Sequence, residues 1–310
     1  MVHTRCTDGA QGVHALCIAV SPCFTGVNPY VRIIPANGPF TVARTVPLGP
    51  YAPMLSYQHI YHAGNLADVH KHSLLAWMLA YLTRKDKPVS YIETHGGRAL
   101  YDLGADEALK TGEAAQGITR AQSWFPADHP YTRCLTQTTA IHGKNAYPGS
   151  PMIAAQILRD TDTITLAELH PAEHNALELA LPTAKVHRTD GFAMAHSILP
   201  PTPRRGLMLI DPSFEEKDDY QTIPAHIRKY ARAWNVGIIA LWYPILTSGA
   251  HSNMLKTLQK DHPGALRHEV RFAPARPGHG MVGSGLFVLR PPFGLAEQAT
   301  ILKTHFDQLK

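Results

Sequence analysis

The chain has no Cys-x-x-Cys pair: Cys6, Cys17, Cys23 and Cys134 stand apart along 310 residues. This excludes a zinc knuckle and a dithiol redox motif, and so few cysteines in so long a chain do not make a disulfide framework. Reduced thiols in a cytoplasmic protein are therefore expected. No apolar run approaches the ~18–20 residues that a membrane-spanning helix needs, so no membrane association is expected. Charged residues are only 17% of the composition against 45% hydrophobic, which suits an ordinary globular domain. The net charge of +5 favours a polyanionic partner, although Lys and Arg are spread along the whole chain and form no basic tail.

Residues 1–53 lack Lys and Glu altogether, yet hold three of the four cysteines and the prolines at 22, 29, 35, 39, 47, 50 and 53. They show no helical period, and Ala15–Val20 is too short for a secretory apolar core. The character changes at Met54. The expectation is a native start at Met54, with 1–53 a non-native or disordered extension and 54–310 the functional domain.

From there the pattern alternates. A helix is predicted over Ala67–Arg84, with Leu74, Leu75, Met78, Leu79 and Leu82 on one face. His70 and His72, two apart, point different ways on it and make a poor chelating pair. Val89–Thr94 reads as the first strand, followed by His95-Gly96-Gly97-Arg98, a glycine pair that does not follow the Gly-x-Gly-x-x-Gly dinucleotide pattern. Residues 103–147 break the alternation and read as a small helical insertion. Ser150 and Pro151 then suit the N-cap and first position of a helix running through Leu158. Strands follow at Thr163–Leu169, Ala184–His187, Gly206–Ile210 and Val236–Trp242, with helices between them. Arg267–Phe272 and Gly285–Leu289 have no helix between them and suit an antiparallel hairpin at a sheet edge. The order predicts an α/β, Rossmann-like sheet, mostly parallel, with a closing hairpin.

Acids mark the ends of three of these strands, at Glu168, near the next at Asp190, and at Asp211. The last opens Asp211-Pro212-Ser213-Phe214, which resembles the Asp/Asn-Pro-Pro-Tyr/Phe tetrapeptide of adenine-N6 and related amino methyltransferases, with Ser213 in place of the second proline. Taken alone, an Asp-Pro after a strand is equally a turn.

Further blocks point the same way: Met54-Leu55-Ser56-Tyr57, His62-Ala63-Gly64-Asn65, Asp68 to His72, Thr94-His95 with Gly97, and Pro148 to Pro151. They continue in Glu168 to Pro171, Asp190-Gly191, Asp211-Pro212, Trp242-Tyr243-Pro244 and Gly283-Ser284-Gly285. Together they resemble the RlmJ family of S-adenosylmethionine-dependent methyltransferases, from Met54 to the C-terminus. The resemblance implies a class I methyltransferase fold with an inserted helical subdomain, and S-adenosylmethionine as cofactor. It implies methyl transfer to an adenine N6 in bacterial 23S ribosomal RNA by a monomer that needs no metal. Cofactor contacts are implied for Lys71, His72, His95, Ser150, Glu168, Asp190 and Gly191, with Asp211 shared between cofactor and target. The family has glycine where this chain has Ala99, and Tyr at the place of Phe214.

On this basis Asp211 and the Pro212 carbonyl accept the two N–H groups of the target amine, and Phe214 stacks on the base, which is worth roughly 1–3 kcal/mol. The alternatives are an amino methyltransferase acting on DNA or another RNA, and a non-catalytic RNA-binding protein on the same fold. A metal hydrolase would need histidines at ligand spacing, for which His59-x-x-His62 is the nearest approach. Intact-mass measurement of the native protein checks the start site: a chain beginning at Met54 is expected, and a mass that includes residues 1–53 would refute it.

Overall fold

All five residues of Gly206–Ile210 are buried, yet neighbours face opposite ways: Leu207 and Leu209 join one apolar cluster, Met208 and Ile210 the other. A strand covered on both faces needs helices on both sides of its sheet. The computed structural model describes residues 57–216, 218–276, 278 and 280–309, with the backbone of 18–19 and 32–33. The other residues of 1–56, Met54 among them, lie outside the described residues. Two units are distinguished, 1–55 and 56–310. In the first, Ile18–Ala19 (β1) pairs antiparallel with Arg32–Ile33 (β2).

The second unit runs from helix α1 (Leu66–Thr83) through β3 (Ser90–Glu93) to β4 (Leu100–Asp102). Four helices follow, α2 (Asp106–Thr111), α3 (Glu113–Gln116), α4 (Ile118–Ala121) and α5 (Pro130–His142), and then β5 (Ala146–Pro148), which pairs antiparallel with β4. The chain continues as α6 (Ser150–Ile157), β6 (Thr163–Ala167), α7 (Pro171–Ala180), β7 (Lys185–His187), α8 (Gly191–Ile198), β8 (Gly206–Ile210) and α9 (Asp219–Ala233). It ends with β9 (Ile238–Leu246), α10 (His251–Asp261), β10 (Leu266–Arg271), β11 (Met281–Leu289) and α11 (Leu295–Asp307). The main sheet has the order β10-β11-β9-β8-β3-β6-β7. The five strands from β9 to β7 are parallel, and β11 is antiparallel to both β9 and β10. This is the mostly parallel sheet with a closing hairpin that the alternation predicts. Strand order reverses beside β3, so the carboxyl ends of β3, β6 and β8 border the crevice where such sheets bind ligands.

Several local expectations change. Strand β9 passes Trp242 and continues through Pro244. Its partner β8 ends opposite Leu241, and beyond that point one edge is unpaired, where a residue without an N–H is tolerated. Ser150 is the first helical residue rather than the N-cap, which is Gly149. A Cβ on Gly149 would lie 2.9 Å from the Tyr101 ring and 3.1 Å from the Ala99 carbonyl oxygen, so close packing dictates glycine there. Helix α11 is an addition to the expected elements, and Leu295, Ala299, Leu302 and Phe306 make its buried stripe.

Helix α1 is the largest departure. A single apolar face was expected, but every residue from Ala67 to Leu79 is buried. Helices α4 and α5 of the 103–145 segment pack on it, as do α6, α11 and strand β11. Gly117 permits the approach on one side, because a Cβ there would lie 2.0 Å from the Gly64 carbonyl oxygen. Asp68, His70, Lys71 and His72 are consequently enclosed, and burial obliges each to find a polar partner.

Ala99, where the RlmJ pattern has glycine, is buried at φ +63, the left-handed region that disfavours a Cβ. Ala99→Gly is expected to stabilise the protein by ~0.5–1 kcal/mol, the relieved strain less glycine's extra chain entropy. Urea unfolding measures it, and a lower midpoint would mean that the packing of the Ala99 methyl outweighs the strain.

Candidate active site

At the carboxyl end of β8, Asp211 Oδ2 accepts a 2.6 Å hydrogen bond from Lys71 Nζ. Lys71 lies on α1 and also reaches Asp68 Oδ1 at 3.2 Å. Burial works to lower the pKa of this lysine, but the carboxylates of Asp211 and Asp68 more than reverse it, so the ammonium stays charged. Burial likewise works to raise the Asp68 carboxyl, and His59, Lys71 and His72 outweigh it, holding Asp68 well below the usual carboxylate range. Asp68 also accepts from the Gly64 N–H at 2.9 Å, while its own N–H donates to the side chain of the N-cap Asn65. The Asn65 side chain thus caps the first turn of α1, and Asp68 holds the residue just before that cap.

From Asp68 the hydrogen bonds run outward. His59 Nε2 donates to Asp68 Oδ2 at 2.8 Å, and Tyr57 Oη lies 2.8 Å from His59 Nδ1, so the carboxylate sets the tautomer and the tyrosine donates. The Tyr57 backbone N–H donates to Glu215, just past the Asp-Pro-Ser-Phe motif. His62 meets a different carboxylate, Glu113 of α3, at 2.9 Å. The His59-x-x-His62 pair thus serves two separate acids. Among the described residues no cluster of three or more His, Cys, Asp or Glu side chains could hold a metal ion.

A further acid, Glu93, ends β3 between the ends of β6 and β8. It is fully buried, and burial pushes its carboxyl up to about 8, so it is mainly protonated at neutral pH. Tyr91 Oη donates to Glu93 Oε2 at 2.7 Å, and the Ser150 hydroxyl bonds Glu93 Oε1. That second bond explains why Ser150 caps no helix. Sequence reasoning missed Glu93 because it closes an apolar strand without a breaker. Its signal was to be one more acid at a strand end. Asp68 was missed as a site residue too, although Asn65-x-x-Asp68 is a legible cap.

The remaining predicted residues are distributed along the same edge of the sheet. Glu168 accepts from the Gly97 and His170 N–H groups at 2.9 and 2.7 Å, and burial raises its pKa. Gly97 has φ +59, a conformation suited to glycine. Asp190 is exposed and caps α8 by accepting from the Ala193 N–H at 2.7 Å. Gly191 is required by contact, since a Cβ would lie 1.8 Å from the Thr94 carbonyl oxygen. His95 packs edge-on against Phe192, and burial lowers its pKa to about 4. His72 turns to Tyr147 Oη at 2.9 Å, and burial lowers its pKa to about 3. Pro212 is buried, and Phe214, at φ +56 and 9% exposed, packs against Tyr220 with ring centroids 4.7 Å apart. Bulky residues adopt such a φ only where surrounding structure enforces it, and such positions cluster at functional sites.

A family model described as ribosomal RNA large subunit methyltransferase D, RlmJ, matches residues 86–309. The chain belongs to this family. Two curated relatives bear the name Ribosomal RNA large subunit methyltransferase J. The one from Escherichia coli (strain K12) is 38% identical over 252 residues, covering 79% of this chain and 90% of the relative. The one from Haemophilus influenzae is 37% identical over 256 residues, again covering 79% and 90%. A solved protein from Legionella pneumophila superposes with a TM-score of 0.72 at 34% identity, covering 80% of this chain and 94% of that one. The RlmJ resemblance drawn from the motifs is thereby borne out, with the methyltransferase fold it implied.

The neutral acid in this RlmJ-family site leads to a pH prediction. Glu93 holds in the folded state a proton that the unfolded chain releases, so its contribution to stability is complete below about pH 4.5 and is lost as pH rises towards about 8. Glu93→Gln should gain on the wild type across that window, by up to ~1.4 kcal/mol per pH unit. Urea unfolding of both proteins at several pH values checks this, and a difference that stays constant with pH would contradict it.

Proposed function

We propose that this RlmJ-family protein is a methyltransferase of large-subunit ribosomal RNA that transfers the methyl group of S-adenosylmethionine to an adenine N6 amine in 23S RNA. The observation that carries the reading is Asp211-Pro212 at the end of β8, beside the reversal of strand order, with Asp211 ion-paired to a buried lysine.

The residues along that edge fit the cofactor. The N–H groups at the start of α6 suit the methionine carboxylate, and Ser150 there is backed by the neutral Glu93, which adds no repelling charge. Glu168, its carboxylate oriented by two backbone N–H groups, suits the ribose hydroxyls, and Asp190 and Gly191 at the N-terminus of α8 would hold the cofactor's adenine. When bound, S-adenosylmethionine supplies an activated methyl group on a positively charged sulfur.

The amine of adenine is a poor nucleophile because its lone pair is delocalised into the ring. Asp211 and the Pro212 carbonyl accept its two N–H groups and localise that pair as positive charge develops on nitrogen. Lys71 occupies one Asp211 oxygen and fixes the carboxylate, leaving the other for the amine. With Asp68 and Asp211 against one ammonium, and Glu93 neutral, the group carries about one negative charge, which favours a cationic transition state. A paired adenine cannot present its amine in this way, so the target base must be unpaired or turned out of its helix. Phe214 offers an aromatic face beside Asp211, and opening it to a base requires movement away from Tyr220.

Asp211→Ala is expected to abolish methyl transfer to unmodified 23S RNA while cofactor binding stays measurable by calorimetry. Digestion of the RNA product should yield N6-methyladenosine. Wild-type turnover in the variant would remove Asp211 from the mechanism, and label appearing in duplex DNA instead would reassign the substrate.

A further inference from the structure

Four buried or half-buried polar side chains from α1, β9, β10 and β11 meet beside the Lys71–Asp211 pair without taking part in it. Trp242 Nε1–H donates to Ser284 Oγ at 2.9 Å. Ser284 Oγ lies 2.8 Å from His70 Nδ1, and His70 Nε2 lies 2.9 Å from His268 Nδ1. Ser284 and His70 are fully buried and His268 is 8% exposed. Burial holds both imidazoles neutral, His268 at about 4 and His70 also well below its ordinary value, so each has one N–H and one acceptor nitrogen. The indole N–H donates to Ser284, and one consistent set of tautomers carries the bonds on in the same direction, from the Ser284 hydroxyl to His70 Nδ1 and from His70 Nε2–H to His268. The far end of the chain, at His268, meets the backbone of Ala299. The backbone enforces closeness at the middle of the chain, since a Cβ on either neighbour of Ser284 would collide, at Gly283 with the Val270 carbonyl oxygen and at Gly285 with the Tyr243 ring.

The indole held by this chain is at the reaction centre. Leu241 pairs with Ile210, so Trp242 is level with Asp211 on the neighbouring strand. Lys71 Nζ lies 5.6 Å from the Trp242 ring centroid, and Phe214 stands at its edge. Trp242 is partly exposed, whereas the residues on either side of it are buried.

We infer that His268, His70 and Ser284 are positioning residues that lock the rotamer of Trp242, making its indole a fixed wall of the space where the acceptor base meets Asp211. The inference rests on the acceptor reading given above. A rotated indole would uncover the Lys71 ammonium and shift the wall by an ångström or more, a displacement that can cost up to about 100-fold in rate. A buried apolar contact would hold the ring less specifically, because only the N–H bond distinguishes the indole's two edges.

The test is a double-mutant cycle on the whole chain with Ser284→Ala, Trp242→Phe and the pair. Transfer is counted as total label moved from S-adenosylmethionine to 23S RNA, so it does not depend on which nucleoside is modified. Ser284→Ala is expected to lower kcat/KM for RNA on the order of 10- to 100-fold, with cofactor affinity unchanged. In the Trp242→Phe background, which lacks the indole N–H, the same change should have no further effect. The indole N–H resonance of Trp242, identified by its loss in Trp242→Phe, should shift in Ser284→Ala whether or not the enzyme turns over. If Ser284→Ala does not fold, His70→Leu, which breaks the chain one bond further on, is carried through the same cycle. Additive losses in the double variant, or an unmoved indole resonance, would overturn the inference. A product other than N6-methyladenosine in the wild type would instead count against the acceptor reading.

Discussion

A lysine removed from water has to keep its charge by pairing, and Lys71 does so with two carboxylates brought from different places. Asp68 is one turn away on its own helix, and Asp211 is 140 residues away in sequence. Removing the lysine from such a buried set would leave two carboxylates uncompensated, at a cost of about 3–5 kcal/mol. The bond therefore fixes the end of β8 against α1. Through Asp68 it also fixes the start of α1, and through His59 the segment that begins at Tyr57. Neither the strand end nor the helix start can move without the other.

Enclosure of α1 imposes the same requirement on its other polar residues. Asp68, His70, Lys71 and His72 face several directions around one helix and each has a partner on a different element: His59, Ser284, Asp211 and Tyr147. Those partners belong to the N-terminal turn, the closing hairpin, the motif strand and the small ribbon at the base of the 103–145 segment. The helix is thus the point where the Rossmann-like sheet and its additions are tied together, and charge balance at the site is settled there. Glu93, at the centre of the sheet edge, is kept uncharged by burial, so the negative charge of the site is concentrated at Asp68 and Asp211.

Much of this architecture is legible in the sequence. The strand from Gly206 to Ile210 and the helix after Asn65 carry their own apolar period and breakers, and the order of strands and helices dictates a parallel sheet with little freedom. Glu168 and Asp211 stand out because each closes a strand pattern, and Asp190 because it opens the helix after the next strand. Local pattern fails where the neighbour decides. The continuation of β9 through Pro244 depends on which edge β8 leaves unpaired. The hydroxyl of Ser150 is drawn to Glu93 instead of its own helix. The left-handed conformation persists at Ala99 although glycine is absent there.

By itself, then, the sequence determined the sheet, its strand-end acids and the RlmJ family, because short-range periodicity and ordered motifs are properties of the chain alone. The tertiary structure decided which charges survive and which hydrogen bonds form. Lys71 stays an ammonium and Glu93 becomes a neutral acid for one reason: the free energy of a charge depends on what surrounds it once water has been excluded. His70 shows the same limit, since its partners Ser284 and His268 lie about two hundred residues away and no spacing rule connects them.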